Sequence, residues 1–262
     1  MSEGATYIHG TKPAEQERLA ELNRLMNRAF VEWLKVQPDT KVLEVGSGLG
    51  LLAAEVAKGA AHVQVVGLEQ SPAQIAAAAK TSNVRYIQGD AHRLPFDDGS
   101  FDLVYVRYVL EHVADPETVL SELRRVTRQG GRVAACENDI SLLRLDPPCP
   151  VFEMVWDTFQ QHQRNLGGDS HIGRRLYRLF RTAGFSDVEL SVQPEVHWHG
   201  SEKFSGWIRN LIGNVESARQ GLIDSGLCTE QRINAALAEV TALLDNGQAS
   251  SQFIWNRAIA LR

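Results

Sequence analysis

The sequence predicts an α/β fold, a largely parallel sheet with helices on both faces, and three observations carry that prediction. Apolar, β-branched runs alternate with helical patterns up to about residue 137, as strands joined by crossover helices do. The first strand enters a turn with three alternating glycines, Val42-Leu43-Glu44-Val45-Gly46-Ser47-Gly48-Leu49-Gly50, and Leu51 to Ala57 then reads as a helix. An acid, Glu69, closes the second strand about 20 residues further on. A strand that runs through a glycine turn into a helix presents a ligand-sized crevice at the carboxyl edge of such a sheet.

Residues 1 to 12 are polar apart from Tyr7-Ile8-His9-Gly10. Pro13 opens a helix of about 20 residues, in which Leu19, Leu22, Leu25, Met26, Ala29, Phe30 and Trp33 recur at helical spacing. Pro38-Asp39-Thr40 turns into the first strand. His62 to Leu68 is the second strand, and Ser71-Pro72 starts the next helix with Ser as its cap. Asn83 to Gln88 forms a third strand ending in Gly89-Asp90-Ala91, and Phe101 to Val106 a fourth leading into Arg107-Tyr108-Val109-Leu110-Glu111-His112-Val113. Asp115-Pro116 starts the helix of Val119, Leu123 and Val126, and a Gly130-Gly131 turn leads into the fifth strand.

The regularity then stops. Leu145 to Pro150 reads as a stiff linker and Val151 to Arg164 as an inserted helix. Gly173 to Ala183 is a further helix ended by Gly184, and Val188 to Val192 the sixth strand. Ser201 to Asn246 reads as a second helical insert and Gln252 to Leu261 as the last strand. The organisation expected is a helical cap over residues 1–38 and one main domain over 39–262, with lid inserts at about 145–170 and 200–247.

Glu69 is placed to accept hydrogen bonds from a ribose hydroxyl pair, a device that nicotinamide enzymes share. The glycine spacing separates the two readings. A dinucleotide turn of the form G-x-G-x-x-G needs glycine at position 51, which is Leu. The G-x-G-x-G turn fits a mononucleoside better, and Asp90 can accept from an exocyclic adenine amine.

The segments VLEVGSGLG, GDAHRLPFDDGSFDLVYVRYVLEHV and LRRVTRQGGRV, with Glu69 between the first two, resemble the class I S-adenosylmethionine-dependent methyltransferases. Within these the chain is most similar to the small-molecule branch of quinone and natural-product methyltransferases. The likeness is tight from Lys41 to Cys136 and looser from Gly173 to Ser191. It implies a seven-stranded Rossmann-like sheet of order 3-2-1-4-5-7-6 whose last strand is antiparallel, and S-adenosyl-L-methionine as cofactor. It also implies backbone contacts from Gly46, Ser47 and Gly48 to the cofactor's amino-acid moiety, Glu69 on its ribose, and Gln70, Asp90 and Ala91 about its adenine. The N-terminal segment would cap that pocket, bringing Tyr7 and Arg18 to the methionine carboxylate. Arg107 would lie where sulfonium and acceptor meet, on the cofactor carboxylate, on an anionic acceptor, or in an ion pair with a neighbour.

His112 is the candidate general base, because an imidazole titrates near neutrality, and a structural hydrogen-bonding role is the competing reading. Glu137 and Asn138, just past the fifth strand, are expected to point into the crevice and bind the acceptor, with Trp156 in the first insert and His171 near it. Asp139 completes an acidic cluster there, but Arg107 stands where a metal-dependent relative needs an acid, so no metal is expected. His197 and His199 share one face of any strand, a spacing open to a transition metal and equally to lid packing. Trp156, Trp198, Phe204 and Trp207 supply aromatic surface for a planar acceptor or for the core of a lid.

Composition narrows the partners. A chain of 262 residues with a hydrophobic share of 44% and a charged share of 23% suits a globular domain. A formal net charge of -5 gives no basic surface for a phosphate backbone, so nucleic acid is disfavoured as substrate. Three widely spaced cysteines form neither a disulfide framework nor a zinc site and fit a reducing cytoplasm. No apolar run reaches the ~18 residues of a membrane span, and the N-terminus lacks a signal-peptide pattern. The expected partner is a small-molecule acceptor, a secondary metabolite or quinone-like compound methylated at O, N, S or C; a homodimer is left open. The alternatives are a cofactor-binding subunit without transfer and a nicotinamide-dependent oxidoreductase.

Overall fold

The structure, a computed structural model, describes residues 13–262. The described residues open with α1 (Pro13–Leu34), which turns Leu22, Leu25, Met26, Phe30 and Leu34 inward, while Ala29 of the anticipated stripe stays exposed. Strands and helices then alternate: β1 (Lys41–Val45), α2 (Leu51–Val56), β2 (Gln64–Glu69), α3 (Pro72–Ala77), β3 (Val84–Gln88), β4 (Phe101–Arg107), α4 (Pro116–Val126) and β5 (Thr127–Glu137). The two helix starts anticipated from sequence are built as such. Ser71 caps α3 by accepting from the Gln74 amide, and Asp115 caps α4 by accepting from that of Thr118, each with a proline at the first helical position.

Beyond β5 come β6 (Arg144–Asp146), α5 (Pro150–Asn165), α6 (Leu176–Thr182), β7 (Val188–Trp198), α7 (Phe204–Asp224), α8 (Glu230–Thr241) and β8 (Ser250–Leu261). The sheet runs β3-β2-β1-β4-β5-β8 with β7 beyond β8, the anticipated family order. The pairs up to β4–β5 are parallel, and those of β8 with β5, β6 and β7 are antiparallel.

Two departures from the sequence reading have local causes. The stretch read as a stiff linker begins with β6, an eighth strand of three residues that pairs with Ser250 to Gln252 beside the end of β5. The sixth strand of the reading is twice as long as expected, running on from Val192 to Trp198. Pro194 interrupts the apolar alternation but sits on a strand whose described partner is β8 alone, and an edge strand tolerates a missing amide.

Side chains alternate across the sheet with period two. Val42, Leu103 and Tyr105 face a core shared with α1, α2, α5, α7 and α8, whereas Leu43, Val104 and Val106 face α4 and α6. The N-terminal helix and the inserts therefore complete one face of the sheet and meet above the carboxyl ends of its central strands. No helix among the described residues is long and apolar enough to cross a membrane.

Candidate functional site

A cavity of about 490 Å³ opens at the carboxyl ends of β1, β2 and β4, roofed by α1 and α7. Its glycine turn is held by Gly46 and Ser47, whose amides donate to the Leu68 carbonyl at 2.8 and 3.0 Å. Gly46 has φ +78°, and a Cβ there would overlap Val109; Gly50 has φ +67°, and a Cβ there would overlap the Tyr86 ring. Left-handed backbone and close approach both demand glycine. The Tyr86 hydroxyl braces the turn from β3 by donating towards the carbonyls of Gly50 and Ala79, at 3.2 and 3.0 Å.

Glu69 ties this turn to the next. One carboxylate oxygen accepts from the Gly48 amide and the other from the Ser71 amide, each at 2.9 Å. Each oxygen keeps lone-pair capacity for a second donor, and the residue lines the cavity. Gln70 lines the same end, its carbonyl accepting from Gln88. Asp90 and Ala91 follow on the rim. Asp90 accepts from both the amide and the Nδ1 of His92, at 2.9 and 2.8 Å, and these bonds lower its pKa.

The floor holds a residue that the sequence reading passed over. Glu44 is 4% exposed and lines the cavity, and one of its oxygens has no hydrogen-bond partner. Burial pushes its carboxyl up to about 8, partly opposed by the positive charge of Arg107. Its signal was an acid set in the apolar strand Val42–Val45. Arg107 donates from Nη2 to Asn23 and Asn27 of α1, at 2.6 and 2.7 Å, and lies 5.3 Å over the Phe30 ring and 5.2 Å over that of Tyr108. Its Nη1 is buried without a hydrogen-bond partner. Arg107 thus clamps α1 onto the end of β4 and still offers a donor. Arg18, from the same helix, lines the cavity and donates to Asn210 of α7 at 2.8 Å. Tyr7 lies outside the described residues.

The other end of the cavity is aromatic with a polar seam. Trp156 and Phe159 of α5 stack at 5.4 Å, and Trp156 is fixed by its indole N–H on the Ile140 carbonyl at 2.9 Å. Trp207 donates to Ser251 at 2.8 Å and meets Trp255 edge to face, and Trp255 in turn packs 4.7 Å from Tyr108. The seam runs through Glu111, Asn138 and Gln163, with His112 beside it. Asn138 donates to one Glu111 oxygen at 2.5 Å, and Gln163 to the other at 3.2 Å. His112 Nε2 is 3.7 Å from Glu111.

Not every anticipated residue reaches the cavity. Glu137 is fully buried and does not line it. Neighbouring strand residues point to opposite sides, so Asn138 faces the cavity while Glu137 accepts from the amides of Val109, Leu110 and Glu111 and pins the turn after β4. Burial, then the charge of Glu111, pushes the Glu137 carboxyl up to about 8. His171 turns away to hydrogen-bond Gln160 at 2.7 Å, and Asp139 pairs with Arg174. Of the insert aromatics, Trp198 is exposed on β7 and Phe204 is buried in the core. His197 lies 3.1 Å from Glu195 and His199 packs edge-on to Phe204. Among the described residues no group of three or more His, Cys, Asp or Glu could hold a metal ion.

Known proteins share this architecture. Residues 43–135 match the family model described as a methyltransferase domain. The demethylmenaquinone methyltransferase of Beutenbergia cavernae is 34% identical over 141 residues, 53% of this chain and 55% of that protein. The enzyme of the same name from Mycolicibacterium gilvum is 40% identical over 115 residues, 44% of this chain and 49% of that protein. The chain thus spans about half the length of these curated relatives. Among solved structures, the YcgJ protein of Bacillus subtilis superposes with a TM-score of 0.59 at 19% identity, covering 91% of this chain and 99% of that one. Haemonchus contortus phosphoethanolamine N-methyltransferase 2, in complex with S-adenosyl-L-methionine, gives 0.55 at 18% identity, covering 94% of this chain and 52% of that one. At these identities the likeness is one of fold.

Proposed function

We propose that the chain, which carries a class I S-adenosylmethionine-dependent methyltransferase domain, transfers a methyl group from S-adenosyl-L-methionine to a small, planar, quinone-like or natural-product acceptor. The observation that carries this reading is Glu69, a carboxylate held by two backbone amides across a G-x-G-x-G turn and still able to accept from a ribose diol. The residues present fit the cofactor. A buried carboxyl oxygen on Glu44 and a buried guanidinium nitrogen on Arg107, both without partners, suit the ammonium and carboxylate of an amino acid. Gly46, Ser47 and Gly48 supply close backbone, with Gln70, Asp90 and Ala91 at the adenine end and Arg18 near the roof.

When bound, S-adenosyl-L-methionine supplies a methyl carbon made electrophilic by its sulfonium. The protein's part is then to hold two ligands in line and to exclude water. The glycine turn and Glu69 fix one ligand, and Trp156, Trp207, Trp255 and Tyr108 enclose the other. His112, which lines the cavity beside Glu111, would be the group to take a proton from the acceptor, though positioning alone serves an acceptor that is already a good nucleophile. The relatives named demethylmenaquinone methyltransferase support a quinone-like acceptor.

The test is incubation with S-adenosyl-L-methionine and fractionated small-molecule extracts, following S-adenosylhomocysteine release. Release that depends on one fraction supports the reading. Stabilisation of the protein by NADH but not by S-adenosylhomocysteine would replace it with the oxidoreductase alternative.

A further inference from the structure

The loop that carries Asp90 joins the end of β3 to the start of β4 and contains no helix and no run of strand. Its first turn is closed locally. Asp90 accepts from the amide and the ring of His92, and the Arg93 amide donates to the Asp90 carbonyl at 3.1 Å. The Asp90 side chain is 59% exposed, so its place on the rim depends on where the loop backbone is held.

One side chain outside the cavity lining does much of that holding. Arg125, in the last turn of α4, makes five hydrogen bonds, as many as a guanidinium has N–H groups. Its Nε and Nη2 grip the two oxygens of Glu122, one turn earlier, at 2.7 and 2.8 Å. Nη2 also donates to the Leu94 carbonyl at 3.0 Å, and Nη1 donates to the Phe96 carbonyl at 2.8 Å and to Asp98 at 2.9 Å. Glu122 in turn accepts from the Leu94 amide at 2.8 Å, so Leu94 is tied through both its N–H and its C=O. The Gly99 amide closes the loop onto the Arg125 carbonyl at 3.0 Å. Leu94 follows directly on the turn of Asp90 and is 3% exposed, and Phe96 meets Phe101 edge to face at 4.9 Å. A planar fork can serve a carboxylate and two carbonyls at once, which the point charge of a lysine cannot.

We propose that Arg125 is a positioning residue for the base end of the cofactor site: through the Leu94–Asp98 loop it holds Asp90 where it can tell adenine from a purine without the exocyclic amine. This rests on the methyltransferase reading of the cavity and adds to it a residue that touches neither ligand. Hydrogen bonds weaken steeply with misalignment, so a loop released from its clamp loses discrimination at the base before it loses the rest of the cofactor's contacts.

Two probes that differ only at the base test this, S-adenosylhomocysteine and S-inosylhomocysteine, titrated calorimetrically into the full chain. The wild type is expected to favour the adenosyl compound by about tenfold or more, the worth of one hydrogen bond to a charged group. In Arg125→Lys that preference is expected to shrink towards unity, and in Glu122→Gln, a milder cut at the same clamp that serves if the first variant fails to fold, to narrow in the same direction. Arg128→Gln, which breaks an ion pair with Asp102 on the neighbouring strand, is the control for lost stability and should keep the preference. In an Asp90→Ala background Arg125→Lys should add little further loss, because residues that act through one contact are not additive. A preference kept in both clamp variants would overturn the proposal, as would an equal loss in Arg128→Gln or full additivity with Asp90→Ala. Failure of the wild type to bind S-adenosylhomocysteine at all would instead strike the methyltransferase reading, so the two failures are distinct.

Discussion

Glu69→Gln separates a brace from a ligand. In the wild type both carboxylate oxygens accept backbone amides at 2.9 Å, from Gly48 and from Ser71. A carboxamide has one oxygen and one NH₂, so one of those amides must face a donor. Leaving it unsatisfied costs about 1–3 kcal/mol, and at about 2–4 °C per kcal/mol for a domain of this size the melting temperature falls by several degrees. Cofactor binding suffers separately. The ribose diol loses one of its two acceptors, and a hydrogen bond to a charged group is worth about 1.5–3 kcal/mol, or roughly 10- to 150-fold in affinity. Calorimetric titration with S-adenosylhomocysteine, alongside thermal denaturation of the free protein, reads the two effects independently. A lowered melting temperature with unchanged affinity would refute the ribose assignment and leave Glu69 as a brace between two turns.

Three further perturbations probe other parts of the cavity. Asp90→Ala is expected to weaken S-adenosylhomocysteine binding by about tenfold, one hydrogen bond to the adenine amine; unchanged calorimetric affinity removes that role. His112→Ala is expected to leave turnover within about tenfold if positioning dominates, whereas loss of a general base costs roughly 10²- to 10⁴-fold. A fall of that larger size with cofactor affinity intact would make the imidazole the base. Glu44 gives a pH dependence. Its carboxyl is raised to about 8 by burial, so the folded state keeps a proton that the unfolded chain releases near 4.5. The stability from that proton is present below the unfolded value and is lost as pH rises towards 8. Glu44→Gln, which is always neutral, should therefore gain on the wild type in urea denaturation as pH goes from 5 to 8. Glu137, raised for a similar reason, is common to both proteins and cancels. A difference that stays flat over that range would show that Glu44 is ionised in the folded state.

The half of the cavity proposed for the cofactor was legible in the sequence because it is built from contiguous backbone. Gly46, Gly48 and Gly50 occupy consecutive alternate positions, and each takes a positive φ that side chains resist. Glu69 and Asp90 stand at strand ends, where position along the chain fixes position along the crevice. Apolar, β-branched runs between helical patterns likewise marked the strands of the parallel sheet. Where a local rule pulled against a tertiary contact, the local rule misled: Pro194 hid the second half of β7, and three residues were too few for β6 to show against the prolines that follow it. Glu44 escaped notice because its apolar neighbours read as a plain buried strand.

The acceptor half was not legible for a different reason, and the reason bears on what the fold does. Its walls come from α5, α7, the turn after β4 and β8, segments spread over more than a hundred residues of chain that meet only when the inserts close over the sheet. Sequence patterning marked Trp156, Trp198, Phe204 and Trp207 alike as aromatic, but only Trp156 and Trp207 reach the cavity. The same holds for polar residues: Asn138 and Glu137 are adjacent, yet one lines the cavity and the other pins the turn that carries Glu111. That pinning joins the halves. The turn held by Glu137 presents Val109 against Gly46 on the cofactor side and Glu111 on the acceptor side. A displacement of five residues, Arg107 to Glu111, would therefore disturb both ligands together. On this account, substitutions of Trp156 and Phe159 in α5 change acceptor choice with cofactor affinity kept, and those in the turn after β4 change both.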